Sequence, residues 1–406
     1  MAGDVKDFVG ARLGTLGIEA EFFLADMKTG TPVPNACALI YLIYDDDRYT
    51  SLRGLVSPEF DSRMIEYKTG DGGGPPHQLV EDFRTKLWLL MQAAAQLNCL
   101  LLPTAHYNGD ISGWTHFTDP GGPFEDVGVR YAGLEASVGI LKTQPRIPRS
   151  CAIQSHFAVP LSTDRHQRDI AVAVCDIMTS LVPMFAAVAA NSPFKDMDSR
   201  RLHYWTMLPR GGPYLFGSYE RLVSHARDMV DQRRIATFTE LWYHERFNKY
   251  TLESRAMDMS ALFEHLVAFV VTNWATKMAL WNALRYGELV PRIPSLPGLA
   301  ALDLSKLSIS RPQMVPLWDF RFGTLGRWTN MADGLDSFLD FIRPTAGDWG
   351  LAGAVDLFAK IAESRHNGAA INRERYAAMP LGDGAYRVAA EEFTTSVLSF
   401  DTSLLR

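Results

Sequence analysis

Acidic residues recur at every second position in a short, otherwise apolar segment near the start of this chain. Glu19 and Glu21 lie in LGIEAEFFLAD, where Ile18, Ala20 and Phe22 take the alternate positions. Because successive side chains of a β-strand point to opposite faces, the two glutamates share one face and the apolar residues share the other. The segment is therefore predicted to be a strand with one carboxylate-bearing face and one buried face.

Two later segments carry a similar alternation. Gln154 and His156 alternate in CAIQSHFAV, and Glu253 and Arg255 alternate in YTLESRAMD. Taken alone, each pair is better explained as a structural feature of a strand, and an exposed Glu253–Arg255 ion pair would contribute under ~1 kcal/mol. If such strands lie side by side in one sheet, one face of that sheet carries ligands able to hold Mg²⁺ against the phosphates of a nucleotide. This arrangement is typical of an ATP-using ligase.

A fourth acidic segment, SPEFDSRMIEYKTG, contains Glu59 and Glu66. Their odd spacing would place them on opposite faces of one straight strand. Asp61 and Ser62 are turn-forming residues, so a turn between the two glutamates would let both side chains approach one site.

The composition excludes several classes of protein. The chain has 406 residues, 47% of them hydrophobic, and a formal net charge of −6, which argues against broad nucleic-acid binding. Its four cysteines show no paired spacing, which favours reduced thiols. The longest apolar run, 177–190, is shorter than the ~20 residues of a bilayer span. We expect a cytoplasmic protein without membrane or nucleic-acid partners, and a homo-oligomer remains an open alternative.

The hydrophobic periodicity predicts an α+β fold, with an antiparallel sheet and helices packed to one side. Strands are predicted near 13–26, 64–68, 100–106 and 151–161, and helices over 77–99, 168–190 and 257–286. A proline-rich connection, 291–316, separates a catalytic core (1–290) from a helical part (291–406) that we expect to pack on the core as one domain.

The segment 107–128 is rich in glycine, aspartate, proline and aromatic residues, and is predicted to be a long loop. Its aromatic side chains support two interpretations equally, a lid over a substrate pocket or a surface loop held down by its own aromatic residues. These side chains are Trp114, His116, Phe117 and Phe124.

Motifs for other chemistries are missing from the sequence. There is no GxxxxGK[ST] phosphate loop, no GxGxxG after a strand, no GxSxG and no HExxH. The sequence therefore gives no support to nucleophilic or zinc catalysis.

Six motifs, in order from about residue 14 to residue 290, resemble those of the glutamate–cysteine ligase superfamily. The similarity is to its second family, which holds the plant-type and actinobacterial enzymes and the bacterial carboxylate–amine ligases. LGIEAEFFLAD is similar to the GxExEFF strand, SPEFDSRMIEYKTG to the next acidic block, and PRSCAIQSHFAV to the strand with Gln-x-Asn or His-x-His. NSPFKDMDSRRLHYW resembles NSPF…S-x-R-x-H-x-W, YTLESRAMD resembles L-E-x-R-x-x-D, and WNALRYG resembles the helix that follows it.

The resemblance implies a glutamine-synthetase-like fold, in which a curved antiparallel β-sheet with helices on its outer side holds ATP and two or three Mg²⁺ ions. Arg201 and Arg255 match positions that hold the substrate carboxylate or phosphate, and His156 matches a position near ATP, which Arg255 would also contact. The positions that match metal ligands are Glu19, Glu21, Glu59, Glu66, Gln154 and Glu253. One departure is Tyr67-Lys68-Thr69, where the family has small or hydrophobic residues.

The activity that this resemblance implies is ATP-dependent joining of a carboxylate to an amine. The expected acid is glutamate, activated at its γ-carboxylate as an acyl phosphate, and the acceptor is an amino acid or another amine. The alternatives are a phosphagen-kinase-like phosphotransferase and an ATP-binding homologue without turnover. Either ligase substrate would be a small molecule.

Overall fold

The computed structural model describes residues 13–69, 74–109, 114–138, 150–159, 165–191, 239–244, 249–286, 331–377 and 383–405. Within these ranges, seven strands form one sheet whose pairings are all antiparallel. The strands are β1 (Leu16–Asp26), β2 (Val56–Pro58), β3 (Met64–Lys68), β4 (Cys99–Leu102), β5 (Ala152–Val159), β6 (Thr239–His244) and β7 (Lys249–Asp258).

The long strand β1 organises the sheet, whose order is β2-β3-β1-β5-β7-β6 with β4 also paired to β1. Phe23 has a partner on each side, Met64 of β3 and Leu102 of β4. Strand β4 therefore lies on the same side of β1 as β5, beside the other half of the strand. Glu19 is likewise flanked by Lys68 of β3 and Gln154 of β5.

Helices account for most of the remaining described residues. Proline at the first turn of the helix 76–96 suits a position where the backbone N–H has no partner in the helix. The helices are α1 (Ala36–Asp45), α2 (Pro76–Gln96), α3 (Glu125–Val138), α4 (Arg165–Val188), α5 (Phe263–Tyr286), α6 (Met331–Asp348), α7 (Ala352–Ser364), α8 (Gly368–Ala377) and α9 (Asp383–Leu398).

The apolar face of the sheet is covered by helices. Phe22 of β1 contacts Phe393 of α9, with ring centroids 5.5 Å apart. Tyr67, on the same face of β3, stacks on Phe83 of α2 at 5.2 Å. The predicted α+β class and the helix-covered antiparallel sheet are thus confirmed, and the polar residues of the alternating pattern point to the other face.

Three predicted boundaries were wrong. The strand predicted over 100–106 ends at Leu102, because Pro103 cannot donate a hydrogen bond to a neighbouring strand. The helix predicted from residue 257 begins at Phe263, since β7 continues to Asp258 and Ser260 accepts a hydrogen bond from the N–H of Leu262. Helix α3 begins inside the predicted loop, at Glu125, and carries acidic residues in its first turn as the helix dipole favours.

The described part of the 107–128 segment is packed against the protein through its aromatic side chains. Trp114 stacks on Tyr107 at 5.9 Å, and Phe117 is buried. The N–H of Phe117 also donates to the carbonyl of Phe60. Of the two interpretations of this segment, these contacts favour a surface loop held down by its own aromatic residues and not a lid.

The C-terminal helices pack on the core. Phe185 of α4 contacts Phe358 of α7 at 5.6 Å, and Trp274 of α5 contacts Trp349 at 5.5 Å. The proline-rich connection, 291–316, lies outside the described residues. Among the helices that the structure describes, none combines the length and apolar character needed to cross a membrane.

Candidate functional site

Strand pairing brings the polar residues of the alternating pattern together on one face of the sheet. Glu21 is opposite Glu66 in the β1–β3 register, and Glu19 is opposite Gln154 in the β1–β5 register. On the next strand, Glu253 is opposite His156. Directly opposed side chains share a face, so residues from four separate segments converge.

Glu19, His156 and Glu253 form a first ligand group. All three are buried, and one ligand atom from each lies within 4.8 Å of the others. His156 Nε2 is 3.3 Å from Glu19 Oε1, and its Nδ1 is 3.0 Å from Thr251 Oγ1. The resemblance assigned His156 to ATP, whereas the geometry places its ring among metal-type ligands.

Gly17 allows the close approach of β1 to this histidine. It is the β5 partner of His156, and a Cβ at position 17 would lie 3.1 Å from the Cβ of His156. A larger residue there would push the imidazole away from Glu19.

Glu21, Glu59 and Glu66 form a second ligand group, also with one oxygen from each within 4.8 Å of the others. The turn expected at Asp61 is present, with the N–H of Met64 donating to the Asp61 carbonyl at 2.9 Å. This turn returns the chain from Glu59 into β3 and so overcomes the odd spacing.

Gln154 lies beside both groups, as the strand partner of Glu19 and the hydrogen-bond partner of Glu21. Its Nε2 donates to Glu21 Oε1 at 2.8 Å, while Glu21 Oε2 accepts from the N–H of Ala152. Gln154 is 1% exposed, and its Oε1 has no hydrogen-bond partner among the described residues. A buried carbonyl oxygen without a donor is costly, and beside carboxylates it is a suitable ligand for a hard cation. The residues therefore fit Mg²⁺.

The carboxylates influence each other's ionisation strongly. Burial would raise the pKa of Glu19, but Lys68, His156 and Arg255 together hold it well below its usual value. The pKa of Glu66 is raised well above its usual value by burial and by the nearby charge of Glu19. The ammonium of Lys68 thus lowers the pKa of both Glu19 and Glu66. Because the carboxylates outnumber the nearby positive charges, the site favours the binding of cations.

Arg255 lies at the edge of the first group. Its Nε is 2.6 Å from Glu253 Oε1, so the pair predicted on one strand face is present, with the Glu253 side chain only 1% exposed. Its guanidinium is the kind of group that binds carboxylate or phosphate through two hydrogen bonds. Arg201, with the surrounding motif 191–205, lies outside the described residues except for Asn191.

Sequence reasoning missed the contribution of α3. The Tyr131 hydroxyl donates to Glu59 Oε2 at 2.5 Å, and Arg130 lies over the Tyr131 ring at 4.9 Å. Burial lowers the pKa of Arg130, but Tyr131 and the carboxylate of Glu59 raise it overall. A tyrosine in a helix gives no pattern that points to a sheet, so no sequence signal could have identified it.

Comparisons with known proteins found a matching family profile and related sequences. The family profile described as glutamate–cysteine ligase family 2 matches residues 15–290. A glutamate–cysteine ligase of Natronomonas pharaonis is 26% identical over 267 residues, covering 64% of this chain and 68% of that protein. A Streptomyces coelicolor protein, provisionally named glutamate–cysteine ligase 2, is 24% identical over 309 residues, covering 67% and 77%.

One solved structure shows a similar fold. It is a bifunctional glutathione synthetase from Pasteurella multocida, with a TM-score of 0.60 at 13% identity. The match covers 95% of this chain and 53% of the synthetase, so this chain spans about half the length of that protein.

Proposed function

Because the chain belongs to glutamate–cysteine ligase family 2, we propose that it joins the γ-carboxylate of glutamate to an amino acid or another amine at the expense of ATP. The supporting observation is the pair of ligand groups on one face of the sheet, with Gln154 between them. A sheet face lined with carboxylates is suited to bind a nucleoside triphosphate through metal ions.

The proposed reaction has two steps, phosphorylation of the carboxylate and then formation of the amide. An oxygen of the glutamate γ-carboxylate attacks the γ-phosphorus of ATP, the bond to the β-phosphate oxygen breaks, and ADP leaves. The amine nitrogen then attacks the acyl carbon of the resulting acyl phosphate, inorganic phosphate leaves, and the nitrogen loses a proton to give an amide. Activation is needed because a free carboxylate would have to expel oxide.

The two ligand groups, with Gln154, would hold the metal ions. Bound Mg²⁺ would neutralise phosphate charge and align the transferred group. Arg255, whose Nε is paired with Glu253, would hold a carboxylate or phosphate oxygen. Arg201 is proposed for the same task from the family motif alone.

The direct test is ATP-dependent phosphate release with Mg²⁺ and glutamate, across a panel of amines and amino acids that includes cysteine and ammonia. ADP, phosphate and a product with the mass of glutamate plus amine minus water are the expected result. A stable phosphorylated product without phosphate release would favour the phosphotransferase. Absence of ATP turnover with every acid tried would favour the non-catalytic homologue.

Glu253→Gln is the matching variant, since it removes one buried ligand charge with little change of shape. We expect turnover to fall more than about 100-fold, beyond the 10–100-fold loss typical of groups that only orient a ligand. Glu81→Gln, on the surface of α2 and paired with Arg84, is the control. Full activity in a folded Glu253→Gln variant would contradict the ligand role.

A further inference from the structure

Lys68 has a position that the proposed mechanism does not use. It ends strand β3 directly opposite Glu19, and it follows Glu66 by two residues on the same face. Its Nζ is 2.5 Å from Glu66 Oε1 and 3.4 Å from Glu19 Oε1. The ammonium therefore contacts one carboxylate of each ligand group and lies between the groups.

The Lys68 ammonium contacts the same two carboxylates, Glu19 and Glu66, that a divalent cation at this point would bind. Mg²⁺ binds oxygen ligands at ~2.0–2.1 Å and usually takes one or two carboxylates, with waters and phosphate oxygens completing its coordination. The oxygens that would face an ion shared by Glu19 and Glu66 are those that Lys68 already contacts. Two divalent ions, one in each group, and Lys68 would supply five positive charges for the five carboxylates of the groups, and Arg255, paired with Glu253, supplies a sixth.

We propose that Lys68 is a built-in cation that replaces a divalent ion between the two ligand groups, so that this site takes two metal ions. The identity of the metal rests on the proposed function, whereas the role of Lys68 rests on its contacts with Glu19 and Glu66. The Lys68 side chain is 42% exposed, whereas that of Glu19 is 9% exposed. Lys68 is thus the more exposed residue of the pair.

The test counts bound Mn²⁺ by titration of the metal-free protein, following the electron paramagnetic resonance signal of free Mn²⁺. Wild type should bind two ions per chain. Lys68→Met should bind one ion more, and its affinity at the first two sites should rise about tenfold because a nearby positive charge has been removed. Lys68→Arg should behave as wild type.

Lys86→Met is the matched control, because Lys86 pairs with Asp82 along the surface of α2. Equal stoichiometry and affinity in Lys68→Met and wild type would overturn the proposal. The proposal would also be overturned if the wild-type protein bound three ions or none. These two outcomes are measured on the wild-type protein, so they do not depend on whether the variant folds. Because this measurement uses no nucleotide or amine, two bound ions without any condensation product would refute only the proposed function.

Discussion

Tyr131 illustrates how a single residue outside the sheet can set the geometry of the site. It reaches from α3 to Glu59, the one ligand of its group that lies just beyond the end of β2 rather than within a strand. The N–H of Phe60 donates to the same carboxylate oxygen, at 3.0 Å. These two hydrogen bonds fix the Glu59 carboxylate, while the backbone N–H of Glu59 donates to the carbonyl of Met64 in β3.

Tyr131→Phe should therefore weaken metal binding without unfolding the protein. The loss of a hydrogen bond that orients a ligand costs 10–100-fold in metal affinity, and we expect about tenfold for Mn²⁺ measured by titration. Tyr41→Phe, which removes a hydrogen bond to Asp119, is the control. An unchanged Mn²⁺ affinity would mean that Glu59 is oriented by the Phe60 N–H alone.

At the scale of elements, α5 shows how the back of the sheet is joined to a helix. Lys277 is fully buried, and its ammonium donates to the carbonyls of Ser155 and Leu252, each at 2.9 Å. These carbonyls belong to β5 and β7, the two strands that carry His156 and Glu253. Burial lowers the pKa of Lys277 to about 7.

This shifted pKa makes the stability of the protein depend on pH. Between about pH 7 and 10.5 the unfolded chain binds the Lys277 proton more tightly than the native chain. The free energy of unfolding should therefore rise with pH in this window, by up to about 1.4 kcal/mol per unit. The measurement is urea unfolding of wild type and Lys277→Met at pH 7, 8 and 9, with Lys86→Met as control. A wild-type minus Lys277→Met difference that stays constant with pH would contradict the assignment.

The elements also show what a sequence reveals. Strand β3 was predicted with its observed bounds, Met64–Lys68, because its sequence lies between the turn-forming residues Asp61-Ser62 and the glycine-rich run 70–74. The start of α5 was missed, since apolar residues continue across Met257 and only the cap at Ser260 marks the change. Most ligands of the two groups could be anticipated from alternation on each strand, whereas Glu59 and Glu66 also required the turn at Asp61. Their division into two depended on which strands are neighbours, a long-range property that period-two patterns do not contain.

At the scale of the whole molecule, the C-terminal helices complete the core that supports the site. Aromatic side chains of α6, α7 and α9 cover Phe185 and Phe22. Trp349, just after α6, covers Trp274. The rings that they cover belong to α4, α5 and β1, the last of which carries Glu19 and Glu21.

A chain ending at residue 290 should fail to fold cooperatively. Loss of one large buried aromatic residue costs about 3–5 kcal/mol, and this truncation uncovers several such contacts in a protein with about 5–15 kcal/mol of total stability. Thermal unfolding followed by circular dichroism should show a single transition for the full chain and none for residues 1–290. A cooperative transition in the shorter chain would contradict the prediction of one domain.

The order of the strands along the chain has a consequence for synthesis on the ribosome, where folding begins before the later residues emerge. Strands β1 and β3 are made early, whereas β7 follows much later. The first part of the site that can form therefore contains Glu19, Glu21 and Glu66 without His156 or Glu253. In that first strand pair, Lys68 already lies opposite Glu19. The nascent chain thus supplies the counter-charge for its own acidic residues before the rest of the binding site has been translated.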